Sequence, residues 1–445
     1  MRISENRFFF TVCCVAKHSI VWQKHHTTGE HQFIYSLHYR NQTLIYMRKF
    51  IYSLFTFLLA SATLQAQDVD VLVVEEAEET TPVTLSGSVD TYFRYNLNSS
   101  NRTNDGGVIA PGTSFANLPG FALGMVNLIA GYEGEKVGFV ADLVFGPRGS
   151  DAVFQSPYYP FGSPEVGTAN IINQLYAYWN VSDGITLTLG NFNTFLGYEV
   201  ISPTGNFNYS TSYMFSYGPF SHTGFKADFG LSDNLSLMLA IMNPTDFTEF
   251  NPSGAYSLGG QLGYSSDAAS VYLNLLYGDQ DGNFDSNQAF LGGEAGATFQ
   301  ADLTAGFNMG DKFYLGLNTT INSTDPGNLV DDAGVDLDGN IGFYGAALYL
   351  QLAPSGTFAL GLRGEYFAEF GGNSENGIDA IPTDNNGDGN VIDLTLSSNI
   401  EIGQNLMLIP ELRLDSVSED AIPNRDFDDL QNSLISFLIA AVYSF

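Results

Sequence analysis

One short stretch of the sequence has the residue types and spacing of a calcium-binding loop. Asp384, Asn386 and Asp388, followed by Gly389, match the pattern D-x-N-x-D-G, in which side-chain oxygens at alternate positions coordinate Ca²⁺. The position where that pattern places a bidentate glutamate holds Thr395, so only the first half is present. We treat these three residues as a hypothetical Ca²⁺ site, and a solvated acidic loop is the alternative.

A second candidate for chemistry is His222, the one histidine after residue 67, which directly follows Ser221. A histidine can activate a serine as a nucleophile when a third group orients the imidazole ring. The residues after His222 continue an ordinary strand pattern, however, which favours a structural histidine at the start of a strand. Both cysteines lie at positions 13 and 14, and the sequence contains neither zinc-ligand spacing nor a phosphate-binding glycine loop. We therefore expect that the protein is not an enzyme and has no cofactor apart from the hypothetical Ca²⁺.

An export signal is predicted in the N-terminal part of the chain. Met47 is followed by Arg48 and Lys49, then by an apolar stretch over residues 50–64, and Ala66 supplies the small residue that signal peptidase requires. The apolar stretch is too short and too polar to predict a membrane-spanning helix. We expect cleavage directly after Ala66.

Four segments with different roles follow from this prediction. Residues 1–46 are expected to come from a start codon assigned too far upstream, with a histidine-rich metal-binding tail as the alternative. Residues 47–66 form the signal peptide, residues 67–82 an acidic lead-in, and residues 83–445 the mature domain. Residues 1–67 hold 7 of the 16 Lys and Arg but only 2 of the 48 Asp and Glu, so the exported chain has a net charge of about −37. A charge of that sign excludes a nucleic-acid partner.

From Val83 onward, apolar and polar residues alternate with a period of two. Val89 and Phe93, for example, alternate with Asp90 and Arg94. Such a strand has one apolar and one polar face. No part of the mature chain is apolar over the roughly 18 residues that a membrane-spanning helix needs, so a large all-β protein is predicted. The pattern recurs most clearly at residues 137–145, 225–231, 358–369 and 406–415.

The connections between the predicted strands alternate in length. Seven short connections carry the Gly, Asn, Asp, Ser or Pro of hairpin turns, and eight long connections lie between them. This arrangement predicts sixteen strands, with 14 and 18 as neighbouring alternatives, in a transmembrane antiparallel up-and-down β-barrel. Short periplasmic turns and long extracellular loops are typical of such barrels. A soluble β-sandwich is the alternative, but its loops have no reason to segregate by length to opposite ends.

The C-terminal strand, residues 433–445, alternates up to a terminal aromatic residue, Phe445. This strand must pair with the first one, because an unpaired edge would leave backbone groups unsatisfied in lipid. A terminal aromatic residue also resembles the signal recognised by the barrel assembly machinery of the bacterial outer membrane. The expected partners are therefore that machinery, outer-membrane lipid and lipopolysaccharide, to which acidic loops can bridge through divalent ions.

The segment between residues 185 and 245 carries several short motifs. They are LGNF at residues 189–192, LGYE at residues 196–199, the aromatic stretch at residues 206–213 and FSHTG at residues 220–224. In this order they resemble the OmpL-like β-barrel porin family that is widespread in Bacteroidetes, and a weaker likeness extends over residues 83–445. The resemblance implies a pore in the outer membrane and brings no catalytic motif with it.

If the apolar strand faces contact lipid, the opposite faces line the lumen. Ten acidic and four basic residues would then point inward, and an excess of acid inside a low-dielectric wall favours cations. The alternative is that Arg363 bridges Glu365 and Arg413 bridges Glu411, which would reduce that excess. The predicted pore-lining residues are Asp90, Arg94, Asp142, Lys226, Asp228, Asp302, Arg363, Glu365, Glu369, Asp393, Glu401, Glu411, Arg413 and Asp415.

Residues 193–220 form a long connection that is rich in aromatic residues and contains one charged residue, Glu199. A connection this apolar would expose a large hydrophobic surface to water. We therefore expect it to fold into the lumen and constrict the channel, and packing on neighbouring loops or on lipopolysaccharide is the alternative. The constriction candidates are Phe195, Tyr198, Glu199, Phe207, Tyr209 and Tyr213.

These observations together predict a porin-like channel for the passive diffusion of small hydrophilic solutes, with a preference for cations. Barrels of about sixteen strands generally leave an aqueous channel. The alternative function is a non-conducting structural or surface-interaction barrel whose loops plug the pore. The sequence leaves the solute and any homo-oligomeric assembly open.

Overall fold

The computed structural model describes residues 83–102, 108–153, 171–251, 254–280, 295–327, 339–371, 380–384 and 386–445. Within these residues sixteen long strands form one closed antiparallel barrel. The predicted N-terminal extension, signal peptide and acidic lead-in, at residues 1–82, lie outside the described residues.

Each barrel strand pairs with its neighbours in chain order, and the last strand closes the ring by pairing with the first. The strands are β1 (Thr84–Asn96), β2 (Gly120–Glu133), β3 (Val137–Phe145), β4 (Ile172–Ser182), β5 (Ile185–Asn193), β6 (Ser221–Gly230), β7 (Leu235–Met242), β8 (Ser257–Ser265), β9 (Ala269–Asp279), β10 (Ala297–Met309), β11 (Phe313–Thr324), β12 (Ile341–Ser355), β13 (Phe358–Phe370), β14 (Gly389–Ile402), β15 (Leu406–Val417) and β18 (Ser433–Ser444).

Short elements decorate the long connections. Helix α1 (Pro147–Ala152) follows β3, and a 3₁₀ helix (Pro203–Gly205) and helix α2 (Tyr213–Tyr217) lie between β5 and β6. The last connection contains a small hairpin of β16 (Ile422–Pro423) and β17 (Leu430–Gln431). No helix among the described residues has the length and hydrophobicity needed to cross a membrane.

The alternating apolar and polar residues of each strand form the outer and inner faces of the barrel. On β14, Leu394 and Leu396 are 45% and 49% exposed, whereas Asp393 and Thr395, which alternate with them, are fully buried. Because every strand has two paired neighbours, the backbone groups are satisfied within the sheet and the apolar side chains can face hydrocarbon. The prediction of a closed sixteen-stranded antiparallel barrel is confirmed.

The predicted pairing of the C-terminal strand with the first strand is confirmed. The backbone N–H of Gly87 donates to the carbonyl of Phe445 at 3.0 Å, and the N–H of Phe445 donates to the carbonyl of Gly87 at 3.0 Å. Strands β1 and β18 are in register from Ser88 opposite Ser444 to Asn96 opposite Ser436. No edge of the barrel sheet is left unpaired in the described residues.

The interior is less polar than the alternating pattern implies. Leu438 and Val442 on β18 point inward and are only 4% exposed, where they pack with Ile409 and Tyr209. All four buried hydrophobic clusters in the described residues contain side chains from the connection between β5 and β6. The apolar residues of the inner wall therefore pack against chain that lies inside the barrel.

Replacing Leu394 by Arg tests the assignment of the outer face. Leu394 lies near the middle of β14 with its side chain outward, where a guanidinium in hydrocarbon destabilises a barrel by about 2–4 kcal/mol. Urea titration in lipid vesicles should show that loss of unfolding free energy for Leu394→Arg, and Leu394→Phe should remain within about 1 kcal/mol of the parent. An unchanged midpoint for Leu394→Arg would contradict the lipid-facing assignment.

Candidate functional site

The connection between β5 and β6, residues 194–220, lies inside the barrel and is called the inner loop below. Its polar groups reach the inward faces of strands on several sides of the ring. A loop that floated outside or packed on its neighbours would not make these contacts. The hydrogen bonds are Gly197 N to Asp302 on β10 (3.0 Å), Tyr198 OH to Tyr314 OH on β11 (2.9 Å), Asn208 Nδ2 to Ser397 Oγ on β14 (2.7 Å) and Tyr209 OH to Asp90 Oδ2 on β1 (2.5 Å).

Arg363 on β13 makes the densest set of contacts with the inner loop. Its Nη1 lies 2.8 Å from Glu199 Oε1 and donates to the carbonyl of Ser210 at 2.7 Å. Its Nη2 lies 3.1 Å from Asp393 Oδ2 and donates to the carbonyl of Thr211 at 3.2 Å. The guanidinium is fully buried, and burial of such a charge is tolerable only when carboxylates and carbonyls surround it.

Arg413 on β15 continues this network. Its Nη2 lies 2.7 Å from both Asp393 Oδ2 and Asp415 Oδ1, and its Nη1 donates to the carbonyl of Thr211 at 2.8 Å. The sequence-based alternative that Arg363 bridges Glu365 and Arg413 bridges Glu411 is therefore wrong. The ion pairs run to Asp393, to Asp415 and to Glu199 instead, because the two glutamates bind backbone amides of the inner loop.

Those two glutamates fix the backbone of the inner loop. Glu365 accepts hydrogen bonds from the N–H groups of Tyr213 and Met214, both at 2.8 Å, at the start of α2. Glu411 accepts the N–H of Tyr209 at 3.1 Å. Each of these hydrogen bonds satisfies a buried backbone N–H group, so the two glutamates hold the inner loop at defined points.

The predicted pore-lining residues all lie on inward faces, but most are covered. Lys226 and Asp228 form a partly exposed ion pair at 2.8 Å, and Glu401 is also partly exposed. The other eleven are at most 5% exposed, so an excess of acid on the wall does not translate into carboxylates that face an open lumen. They are Asp90, Arg94, Asp142, Asp302, Arg363, Glu365, Glu369, Asp393, Glu411, Arg413 and Asp415.

Two of the covered carboxylates illustrate how this happens. Asp142 accepts hydrogen bonds from the side-chain amides of Asn127, Asn173 and Gln174. Glu369 accepts hydrogen bonds from the backbone N–H groups of Ala380 and Ile381, both at 2.9 Å. These two bonds hold the connection before β14 against the barrel wall. Neutral amide donors therefore satisfy part of the hydrogen-bonding capacity of both carboxylates.

Four glycines of the inner wall make room for the inner loop. Their positions belong to the inward-facing phase of their strands, and a Cβ atom on any of them would come closer than 3.0 Å to the loop side chain above it. Sequence reasoning missed these positions, although glycine at an inward position of a strand is the signal that could have found them. The pairs are Gly259 with Phe195, Gly316 with Tyr198, Gly345 with Met214 and Gly361 with Phe207.

Arg148 on α1 is a further contact that the sequence did not indicate. It is 2% exposed, and its Nε donates to the carbonyl of Ile201 at 2.8 Å and its Nη1 to the carbonyl of Tyr209 at 3.2 Å. Its guanidinium also lies 4.5 Å from the ring centre of Phe115. The connection after β3 thus also holds the inner loop through hydrogen bonds to two of its carbonyl groups.

The inner loop leaves two cavities between itself and the wall formed by β8 to β11. The turn-side cavity, about 440 Å³, lies towards the short turns and is lined by residues such as Gln261, Tyr272 and Thr304. The loop-side cavity, about 600 Å³, lies towards the long connections and is lined by residues such as Gln280. Phe220, at the end of the inner loop, lines both cavities.

His222 is fully buried at the start of β6 beside the inner loop. Its Nε2 lies 3.0 Å from the hydroxyl of Thr194, and its ring centre lies 5.0 Å from that of Phe195. The backbone N–H of the adjacent Ser221 donates to Asp246. The surroundings of His222 are those of a packed side chain.

The hypothetical calcium ligands form a turn before β14. The carboxylate of Asp384 accepts the N–H groups of Asn386 at 2.7 Å and Asp388 at 3.1 Å, and these bonds lower the pKa of Asp384. The carboxylate of Asp388 accepts the N–H of Gly371 at 3.2 Å. In the described residues no group of three or more His, Cys, Asp or Glu is arranged to hold a metal ion. Ca²⁺ binding at this turn stays a prediction.

Comparison with protein families assigns the barrel. The model of the family described as "Putative beta-barrel porin-2, OmpL-like" matches residues 82–445. The chain belongs to this family. It is a β-barrel of the bacterial outer membrane, while its origin in Bacteroidetes stays a prediction. Comparison with curated protein sequences gave no match.

Solved structures of outer-membrane channels share the fold. The channel DcaP of Acinetobacter baumannii is 12% identical with a TM-score of 0.51, over 84% of this chain and all of its own. The anion-selective porin of Comamonas acidovorans is 12% identical with a TM-score of 0.50, over 82% of this chain and 99% of its own.

Replacing Arg363 by Met tests the network that holds the inner loop. The substitution leaves Glu199 without its cation inside the barrel, and breaking one side of a buried pair costs about 3–5 kcal/mol. Amide exchange of residues 208–214 should accelerate strongly in Arg363→Met. The double variant Arg363→Met/Glu199→Gln should regain part of the protection, because no unpaired carboxylate remains at residue 199. Equal protection in parent and single variant would rule the network out as the anchor.

The pKa of Asp246, in the connection after β7, predicts a pH-dependent contact. Burial raises this pKa to about 6, although the carboxylate accepts the N–H groups of Phe220 and Ser221, both at 2.8 Å. A raised pKa means that Asp246 binds a proton more tightly when it is buried against Phe220 and Ser221 than when it is exposed to water. The packing of Asp246 against these two residues is therefore most stable below about pH 4 and weakens as the pH rises towards 6.

Amide exchange at Phe220 and Ser221, corrected for the intrinsic pH dependence, measures this effect. Protection in the parent should fall between pH 4 and pH 7. In Asp246→Asn, which keeps an acceptor oxygen but cannot ionise, protection should stay constant over that range. Parallel pH profiles in the two proteins would show that Asp246 does not titrate there.

Proposed function

We propose that the protein is a porin-like channel through which small hydrophilic solutes cross the outer membrane by passive diffusion. The two cavities beside the inner loop carry this proposal, because they lie end to end along the wall of β8 to β11 and share Phe220. The buried ion pairs lie on the other side of the inner loop, against β13 to β15. The inner loop thus constricts the lumen to one side and leaves a passage on the other.

A preference for cations is part of the proposal. The lining of the two cavities includes Asp151, Asp246 and Glu199, and no Lys or Arg among the described lining residues. Acid-lined passages with low-dielectric walls concentrate cations and repel anions. Of the three acids, Glu199 is paired with Arg363, so Asp151 and Asp246 at the loop-side cavity supply most of the selectivity.

The second candidate function is a non-conducting barrel that serves as a structural or surface-interaction protein. It is favoured by the position of Phe220, which is 2% exposed and packs in one cluster with Phe115 and Phe215 between the cavities. If that cluster does not open, the passage ends there. A measurement of single-channel conductance distinguishes the channel from the non-conducting barrel.

We also propose three kinds of partner for the barrel. A homo-oligomer, contacts with lipopolysaccharide, and recognition of the strand ending at Phe445 by the assembly machinery fit an outer-membrane barrel of this family. Porin relatives favour a channel without catalytic activity.

Planar-bilayer recording of the refolded mature protein tests the channel. In a KCl gradient we expect discrete conductance steps with a cation-selective reversal potential. Asp151→Asn/Asp246→Asn should reduce that potential, and Phe220→Ala should raise the conductance because it removes the ring between the cavities.

Phe121→Ala is the matched control. Phe121 is 92% exposed on the outer face of β2, so its loss should leave conductance unchanged. If the folded parent and the folded Phe220→Ala variant both show no conductance, the non-conducting function is favoured. Conductance with an anion-selective reversal potential would support the channel function but contradict the proposed role of the cavity acids.

A further inference from the structure

The turn-side cavity has a lining unlike that of an ion filter. Its described polar residues carry hydroxyl or amide groups, including Thr194, Gln261, Ser270 and Thr304. The one ionisable carboxylate in the lining is Glu199, which is 5% exposed and bound to Arg363 and to the N–H of Ser212. A solute in this cavity therefore meets groups that both donate and accept hydrogen bonds, with no carboxylate free to bind it.

Aromatic rings supply much of the remaining lining. Tyr272 on β9 lies over the cross-strand Gly263, which leaves its ring at the inner wall. On the facing side Tyr198 of the inner loop is stacked on Tyr349, at 4.1 Å between ring centres, and is hydrogen-bonded to Tyr314. The rings are therefore held in place by the wall rather than by a solute.

We propose that the turn-side cavity binds an uncharged, hydroxyl-rich solute of sugar-like chemistry. The proposal rests on the channel function and names the class of solute for which that channel is suited. The face of a pyranose ring presents C–H groups that pack on aromatic rings, and its hydroxyls match donors and acceptors such as Ser270 and Thr304. A volume of about 440 Å³ falls in the range of small-molecule sites and suits one or two sugar rings.

The distribution of charge supports the same class. Cations are attracted to Asp151 and Asp246, which line the loop-side cavity and not the turn-side one. Beyond Phe220 an ion meets no free counter-charge, so the turn-side cavity offers hydrated ions no binding site of their own. An uncharged solute exchanges its hydrogen bonds with water for bonds to the wall and loses little.

Current block by maltose in planar bilayers tests the proposal. We expect maltose to interrupt the single-channel current of the mature protein at a defined half-blocking concentration. Tyr272→Ala should raise that concentration roughly tenfold, because ring stacking contributes about 1.4 kcal/mol. Tyr272→Phe keeps the ring and should behave like the parent. Tyr277→Ala, on the same strand but 57% exposed on the outer face, is the matched control.

The outcomes separate this inference from the channel function. A polyethylene glycol solution of equal viscosity should reduce the current without discrete interruptions. If maltose acts only as that polymer does, or if Tyr272→Ala is blocked as strongly as the parent, the sugar site is refuted while the channel stands. If none of the folded barrels conducts, the channel function is refuted, and the sugar site is then tested by calorimetric titration of the detergent-solubilised barrel with maltose. A saturable heat of binding that Tyr272→Ala reduces would support the site. The absence of any heat of binding would overturn it.

Discussion

Two arginines buried inside the barrel, Arg363 and Arg413, determine where the inner loop can lie. A guanidinium removed from water destabilises a protein unless anions and carbonyl groups surround it. Asp393 lies between the two arginines and satisfies part of this need, but the wall alone does not complete it. Glu199 and the carbonyls at residues 210 and 211 complete it, and all of them belong to the inner loop. The interior charges are therefore satisfied only while the loop stays inside.

This constraint divides the lumen. The wall of β13 to β15 is taken up by ion pairs and by carboxylates that bind loop amides, and small wall residues such as Gly361 let the loop approach closely. On the wall of β8 to β11 the carboxylate of Asp302 is covered by Gly197, Asn274 and Asn318, so amides and hydroxyls line the cavities along it. One network thus explains why so few charges face the passage although the chain is strongly acidic. It also explains why selectivity is proposed to depend on Asp151 and Asp246.

The sequence predicts the barrel well because its signals are local. Alternation along β14, the lengths of successive connections and the terminal Phe445 each depend on neighbouring residues, and together they imply sixteen strands and their closure. The interior was harder to predict because its contacts join distant parts of the chain. Arg363 and Glu199 are 164 residues apart, and nothing in the sequence pairs them. The inward position of Leu438 also breaks the polar pattern, because its side chain packs in one cluster with Tyr209, a distant residue of the inner loop.

A thiol cross-link between the inner loop and the wall tests the central claim most directly. The side chains of Asn208 and Ser397 are hydrogen-bonded at 2.7 Å, and the chain has no cysteine beyond residue 14 to compete. In the variant Asn208→Cys/Ser397→Cys, the account predicts that a short bifunctional methanethiosulfonate reagent joins the two side chains in the folded barrel. Two thiols that each react with the reagent but are never joined to one another would contradict it, because the inner loop would then not lie against β14.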